Sequence, residues 1–413
     1  MSRGVYAFIA RQPILDRRQA LHGYELLSRS GPGETFFRGD PEQGTSKVIA
    51  DSLLLPDLRA LTGGKQAYIN VTRELLVRQA PRLLSPSHTV IEIVEDVPPD
   101  DEVLAACGHL RGLGYRLALD DYRAGSLWER HLDQVDIVKV DVLVAGPEER
   151  ARTARDLRRT RRTLVAEKVE THEIFRECLA LDYDLFQGYF FARPTVVAGR
   201  DIPAGKLSCL RVLREVHRSR MDLRAVCRVI EQEVALSYKL LRYVNAACFG
   251  WRGSVRSIEQ AAALLGEREL RRWAAVVAVA GMASDKPDEL VRMALVRGCL
   301  CEGLAPVAGL APRATDLFLM GLFSVLDALL DRPMPEVLEP IPIEEDVKAA
   351  LLGAPDRLRD VLEVACAHWA GDWITLARGC ERLEIAMDQV PELAHRALLR
   401  AETGDPDGEI RAA

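Results

Sequence analysis

The stretch Thr89–Asp121 reads TVIEIVEDVPPDDEVLAACGHLRGLGYRLALDD. Thr89–Val94 is β-branched and apolar but for Glu92, Glu102–Leu113 repeats its apolar residues with a helical period, and Arg116–Leu119 is β-rich again. Each β-rich run leads into acid, the first into Glu95 and the second into Asp120 and Asp121. Two strands joined through a helix pair in parallel, because a parallel neighbour is reached only by a crossover of about a dozen residues or more.

The same alternation extends outward on both sides. Further β-rich runs are Val5–Ala10, Ala20–Leu27, Ala67–Val71, Ile137–Val140, Leu164–Ala166 and Leu185–Phe186. Helical patterns lie at Ser46–Leu61, Pro147–Arg159 and His172–Leu181, with turns at Gly31–Gly39 and Gly63–Gly64. This alternation predicts parallel strands with helical crossovers. After Pro194 the character changes. Val196–Lys206 reads as a linker, and beyond it the patterns are helical: Lys206–His217, Asp222–Glu233, Ser237–Asn245, Ser257–Leu265, Glu267–Ala283, Asp288–Ala305, Ala314–Leu330, Glu344–Leu352, Asp356–Ala370 and Trp373–Leu383. Ser237, Ser257 and Asp288 are expected N-caps. The fold class is therefore α/β followed by all-α, with domains expected at 1–197 and 198–403 and a frayed tail at 404–413.

Polar residues recur at the strand ends. Asn70, Glu92, Asp120, Lys139, Glu167 and Gln187 are separated by 22, 28, 19, 28 and 20 residues, about one βα unit each time. In a βα barrel the C-terminal strand ends converge on one face. A solitary strand-end carboxylate is usually a turn or cap residue. Recurrence over six units instead describes a crater of oxygen donors suited to Mg²⁺ or Mn²⁺.

Composition sets outer bounds. The 413 residues suggest two domains, and 48% hydrophobic with 28% charged residues suits soluble cores. A net charge of −6 disfavours a dedicated nucleic-acid binder. The nine cysteines form no CxxC pair and read as reduced core residues. Met1–Ala10 lacks the apolar run of a secretory leader, and no segment approaches a membrane span, so a cytoplasmic protein is expected. The arginine-rich stretch Arg150–Arg162, with Glu148, Glu149 and Asp156 interleaved, reads as a solvated outer barrel helix.

Gln12-Pro13-Ile14, Glu25-Leu26-Leu27-Ser28-Arg29, Asn70, Glu92-Ile93-Val94-Glu95, Asp120-Asp121, Lys139-Val140-Asp141, Glu167-Lys168-Val169-Glu170-Thr171 and Gln187-Gly188-Tyr189 resemble, in order, the signature of the EAL family over about residues 5–194. The resemblance implies a modified (βα)8 TIM-type barrel that hydrolyses cyclic di-GMP to a linear dinucleotide. It also implies that Glu25, Asn70, Glu92, Asp120, Asp121 and Glu167 are metal ligands at a two-metal site. Lys139 would position the attacking water, and Glu170 and Gln187 would support it. Gln12 would contact guanine, Arg29 phosphate, and Glu95 would stabilise a loop. Two departures stand out. Tyr122–Leu127 replaces a Phe-Gly-Thr-Gly type of loop, and Lys168 replaces a usual glycine.

The second half resembles the HDOD module, through Leu236–Gly250, Ile258-Glu259-Gln260-Ala261, Leu264-Leu265-Gly266 and Gly321–Leu330. No His-Asp dipeptide occurs, and His217, His368 and His395 are dispersed, so no metal cluster is expected there. Asn245 is expected to cap a helix C-terminus and Asp327 to serve packing or capping. The resemblance implies an interaction module for a signalling protein partner, with a homodimer among the expected assemblies. Three functions follow from the pairing: a metal-dependent phosphodiesterase, a weak or inactive cyclic-di-GMP-binding effector, and a scaffold in which neither cleavage nor binding matters.

Overall fold

The computed structural model describes residues 8–29, 58–195, 202–218, 220–245 and 255–403. Gly31–Gly39, most of Ser46–Leu61, residues 5–7, 196–201 and 404–413, and Cys248 lie outside the described residues. The residues group into two compact units. The first joins Cys366–Arg378 and Ala386–Leu399 to the N-terminal part of the chain up to Phe191, and the second takes the remainder.

The first unit is built on strands β1 (Phe8–Asp16), β2 (Leu21–Arg29), β3 (Gln66–Val71), β4 (Thr89–Ile93), β5 (Arg116–Leu119), β6 (Ile137–Asp141), β7 (Thr163–Glu167) and β8 (Leu185–Gln187). They close into a barrel in chain order. From β2 to β8 every pair is parallel. The first strand corrects the all-parallel expectation, since β1 runs antiparallel to both β2 and β8. Its link to β2 is a tight turn, far too short for a crossover, so only a hairpin can form. Asp16 Oδ1 accepts from Arg18 N at 2.8 Å and Ala20 N at 2.9 Å, and Gln19 takes a φ of 60°.

Helices Asp101–Gly112, Pro147–Arg158 and His172–Ala180 make three of the crossovers. Asp100 and Thr171 cap the first and third, accepting from Val103 N at 3.0 Å and Ile174 N at 3.3 Å. Between β5 and β6 the link is a 3₁₀ segment, Leu127–Gln134, anchored by buried Trp128, whose Nε1 donates to Val97 O at 2.8 Å. The arginine-rich helix is not solvated throughout. Arg150 is buried and donates to Ala145 O at 2.8 Å and Glu177 Oε2 at 2.7 Å, because its position faces the barrel wall.

The second unit is helical. Val216, Ile230, Leu240, Ile258, Leu270 and Trp273 belong to one buried cluster. Ile258–Met282 is a helical run in two parts, as expected, joined at a kink at Gly266, whose φ of 72° is a left-handed value that glycine takes freely. Ser257 caps it as expected, accepting from Gln260 N at 3.1 Å. The other two expected caps are corrected. Val234–Val244 starts three residues before Ser237, whose hydroxyl donates to Ile230 O at 2.9 Å. Asp288 is the first helical residue after Pro287, where an acid still complements the helix dipole. Ala314–Leu330 is broken at Ser324 into Ala314–Phe323 and Leu326–Leu330. Asn245 closes its helix as expected, with Nδ2 donating to Leu241 O at 2.7 Å. Asp327 Oδ1 accepts from Ala328 N at 2.8 Å. The described cysteines are free, and all but Cys366 are buried.

Candidate active site

Side chains two residues apart on a strand share a face. Ile14, Tyr68, Val90, Ala118, Ile137, Val165 and Leu185 form one apolar layer inside the barrel. Two residues further along the parallel strands stand Asn70, Glu92, Asp120, Lys139, Glu167 and Gln187. On reversed β1 the matching position is Gln12, two residues before Ile14. Glu25 stands opposite Gln12. Two residues before Glu25 is Gly23, where a Cβ would come within 2.7 Å of Gln66 O. A plug of apolar side chains thus carries a polar floor.

Lys139 is the centre of that floor and is fully buried. Its Nζ lies 2.6 Å from Glu167 Oε1, 3.0 Å from Asp120 Oδ1 and 3.2 Å from Glu25 Oε2, and it also contacts Glu92 Oε1. Burial alone would pull the ammonium down, but Glu167, Glu25, Glu92 and Asp120 outweigh it and hold it well above the ordinary lysine range. Burial pushes Glu92 up, and Glu25 adds to this against the opposing pull of Lys139. Burial likewise lifts Glu167, opposed by Lys139 and reinforced by Asp120. Asp120 feels the same desolvation, yet Lys139 and its hydrogen bonds bring it below the usual range.

Around this centre runs an amide chain. Asn70 Nδ2 donates to Glu25 Oε1 at 2.8 Å, and Gln187 Nε2 reaches both Glu25 Oε2 at 2.6 Å and Gln12 Oε1 at 2.8 Å. Gln12 Nε2 in turn donates to Ala370 O at 3.2 Å, within the same compact unit. Among the described residues, Glu25, Glu92 and Glu167 bring oxygens within 4.8 Å of one another, as do Asp120, Asp121 and Glu167. Glu92 Oε2, Glu167 Oε2 and Asn70 Oδ1 are buried without a hydrogen-bond partner. Unsatisfied hard oxygens in such groups fit a divalent cation.

Glu95 is exposed in the turn after β4, and Glu170 is exposed between β7 and the helix His172–Ala180. Arg29 ends β2, and its side chain lies outside the described residues. Two participants had no role in the sequence reading, Asp141 and the carbonyl of Ala370, and Lys168 entered it only as a replaced glycine. Lys168 Nζ sits 2.5 Å from Asp141 Oδ2 and 3.4 Å from Asp121 Oδ1. No local pattern announces these partners, which lie 27 or more residues apart in sequence.

The EAL domain family matches residues 65–194 and the HDOD domain family residues 202–339. A cyclic di-GMP phosphodiesterase of Vibrio cholerae, CdgJ, is 33% identical over 386 residues, which are 93% of this chain and 89% of CdgJ. The chain belongs to the EAL–HDOD family. The uncharacterized protein YuxH of Bacillus subtilis is 31% identical over 95% of this chain and 97% of its own length. Among solved structures, the Klebsiella pneumoniae BlrP1 calcium/cyclic di-GMP complex is 24% identical with a TM-score of 0.39, over 47% of this chain and 58% of that one. The EAL–HDOD chain therefore spans less than two thirds of that structure's length.

The matched EAL stretch begins after the motifs at Gln12 and Glu25, which the barrel nevertheless brings onto its floor. In this EAL–HDOD chain Leu26 is 2% exposed and alternates away from Glu25, so its identity does not touch the crater. The departing loop is structured at both ends. Tyr122 is buried, with its amide donating to Lys139 O at 2.9 Å, and Gly125 N donates to Glu129 Oε2 at 2.7 Å. No helix among the described residues is long and apolar enough to cross a membrane.

Proposed function

We propose that the barrel hydrolyses cyclic di-GMP to a linear dinucleotide with Mg²⁺ or Mn²⁺, and that the helical HDOD unit couples this activity to a signalling protein partner in the cytoplasm. The observation that carries the reading is the buried floor of four carboxylates around Lys139, with its unpartnered oxygens. Identity to CdgJ over most of both chains supports the same substrate. Glu25, Asn70, Glu92, Asp120, Asp121 and Glu167 would hold the cations. Bound there, such ions supply Lewis-acid polarisation and lower the pKa of water.

The chain's own residues divide the remaining work. Lys139 Nζ, hydrogen-bonded to Glu25, Glu92 and Asp120, would position the attacking water and counter developing negative charge. Gln187 is buried and already bonded to Glu25, which suits it to fixing a water in place, a task Glu170 would share. Arg29 would grip a phosphate by two hydrogen bonds. Gln12 would meet guanine, and to do so its amide has to exchange the Ala370 carbonyl for the base.

A second reading, a receptor that binds without cleaving, is favoured by the departing loop at Tyr122–Leu127 and by the lysine placed between Asp121 and Asp141. Purified protein with Mg²⁺ or Mn²⁺ and cyclic di-GMP, its product read by chromatography, separates the two. Asp120→Ala should lower turnover by roughly a thousandfold, as expected for removal of one organising charge. Undiminished turnover in that variant would move the site elsewhere. Ligand binding with no cleavage by the wild-type chain would establish the receptor.

A further inference from the structure

We propose that Lys168 is a tethered cation that occupies the outer carboxylate pair, Asp121 and Asp141, so that the crater holds one divalent ion firmly although its acids outline two positions. The inference rests on the metal-dependent reading above. Lys168 directly follows Glu167 at the end of β7 and has a φ of 56°. That left-handed conformation is free for glycine and unfavourable for any residue with a Cβ.

The neighbouring strand leaves this backbone no room to relax. Val169 N donates to Gln187 O at 2.9 Å, and Phe190 N donates to Val169 O at 3.1 Å. Gly188, at φ 146°, is pressed so closely onto Val169 that a Cβ there would lie 2.1 Å from its carbonyl oxygen. A lysine held in a conformation made for glycine needs a compensating contact, and its ammonium has one. Nζ lies 2.5 Å from Asp141 Oδ2 and 3.4 Å from Asp121 Oδ1. Asp141 is itself pinned, since its Oδ1 accepts from Leu143 N at 2.9 Å and Val144 N at 3.2 Å. Its free oxygen therefore faces the lysine.

Asp121 also belongs to the outer acidic group with Asp120 and Glu167. A divalent ion in that group would share Asp121 with the ammonium, and two cations on one carboxylate repel strongly at such range. The inner group of Glu25, Glu92 and Glu167 does not include Asp121. Lys139 touches carboxylates of both groups, whereas Lys168 touches only the outer one through Asp121, so Lys168 is what weakens one position relative to the other. Its side chain is 50% exposed, so replacing it opens no cavity.

The test is Mn²⁺ titration of the full chain, free ion being read by electron paramagnetic resonance, alongside Lys168→Met, Lys168→Gly and Lys168→Arg. The expected result is one tight ion in the wild type and in Lys168→Arg. Both uncharged variants should gain a second site, at least about tenfold tighter than any second site of the wild type. Lys168→Gly also relieves the left-handed backbone, so misfolding cannot explain its result. Two tight ions in the wild type, or unchanged isotherms in the uncharged variants, would overturn the role of Lys168 and leave the functional reading standing. No ion bound by any of the four proteins would overturn both.

Discussion

The barrel and the helical unit treat buried charge in opposite ways. In the barrel, Lys139 is surrounded by Glu25, Glu92, Asp120 and Glu167, drawn from four other strands or strand ends. In the helical unit, buried Lys206 has Leu329 O at 2.7 Å and Asp285 Oδ1 at 2.6 Å, and buried His217 has Leu213 O at 2.9 Å. Those partners satisfy one group at a time: Lys206 ties its helix to Leu329 and Asp285, and His217 bonds back within its own helix. Gathering several like charges in a dry interior costs stability that hydrophobic packing would not. A fold that keeps such a gathering in one unit and avoids it in the other has concentrated its chemistry in the first.

The largest test of this contrast removes its centre. Lys139→Met leaves four carboxylates without their cation and should cost the barrel roughly 3–5 kcal/mol. Hydrogen exchange of the β6 amides should accelerate, while the amides of Ile258–Met282 stay protected. Equal loss in both units would show that the charge cluster does not belong to the barrel alone.

Next in size is an effect of pH on the helical unit. Burial, only partly offset by the bond to Leu213, lowers His217 from 6.5 to about 4. Below pH 6.5 the unfolded chain takes up a proton that the folded chain refuses until about pH 4. Stability is therefore lost as pH falls through this window, by roughly 3 kcal/mol in full. His217→Leu should flatten that slope in urea midpoints measured from pH 7 to 4.5. A slope identical to the wild type would mean that the imidazole is protonated in the folded state.

A smaller effect concerns the loop beside the crater. Replacing Tyr122–Ser126 with a Phe-Gly-Thr-Gly type of loop should raise turnover about tenfold with little change in ligand affinity, the size of one modest positioning effect. A slower grafted enzyme would make the native loop a working variant. Smallest of all, Ser257→Ala removes the hydroxyl that accepts from Gln260 N at 3.1 Å and should cost about 1 kcal/mol in chemical denaturation. A loss several times larger would show that the helical unit, like the barrel, depends on one polar centre.

Strand spacing and side-chain period are local properties, which is why so much of the barrel was legible in the chain. Asn70, Glu92, Asp120, Lys139, Glu167 and Gln187 each follow an inward apolar residue by two positions, and alternation alone carries them to one face. The same reasoning misplaced Ser237 and Asp288, because helix starts are set by what the preceding turn packs against as well as by the cap residue. It also treated Arg150 as solvated, since a charge pattern does not reveal which turn of a helix meets the barrel wall.

The sequence by itself determined the alternating units, the residues that could reach a common floor, and the switch to helices after Pro194. Only the tertiary structure decided that β1 runs backwards to close the barrel, that Lys139 meets four carboxylates at once, and that Lys168 falls between Asp121 and Asp141. The physical reason is closure. A period of two residues fixes which face a side chain takes, whereas its partners on that face are set by the stagger of strands and by turns distant along the chain.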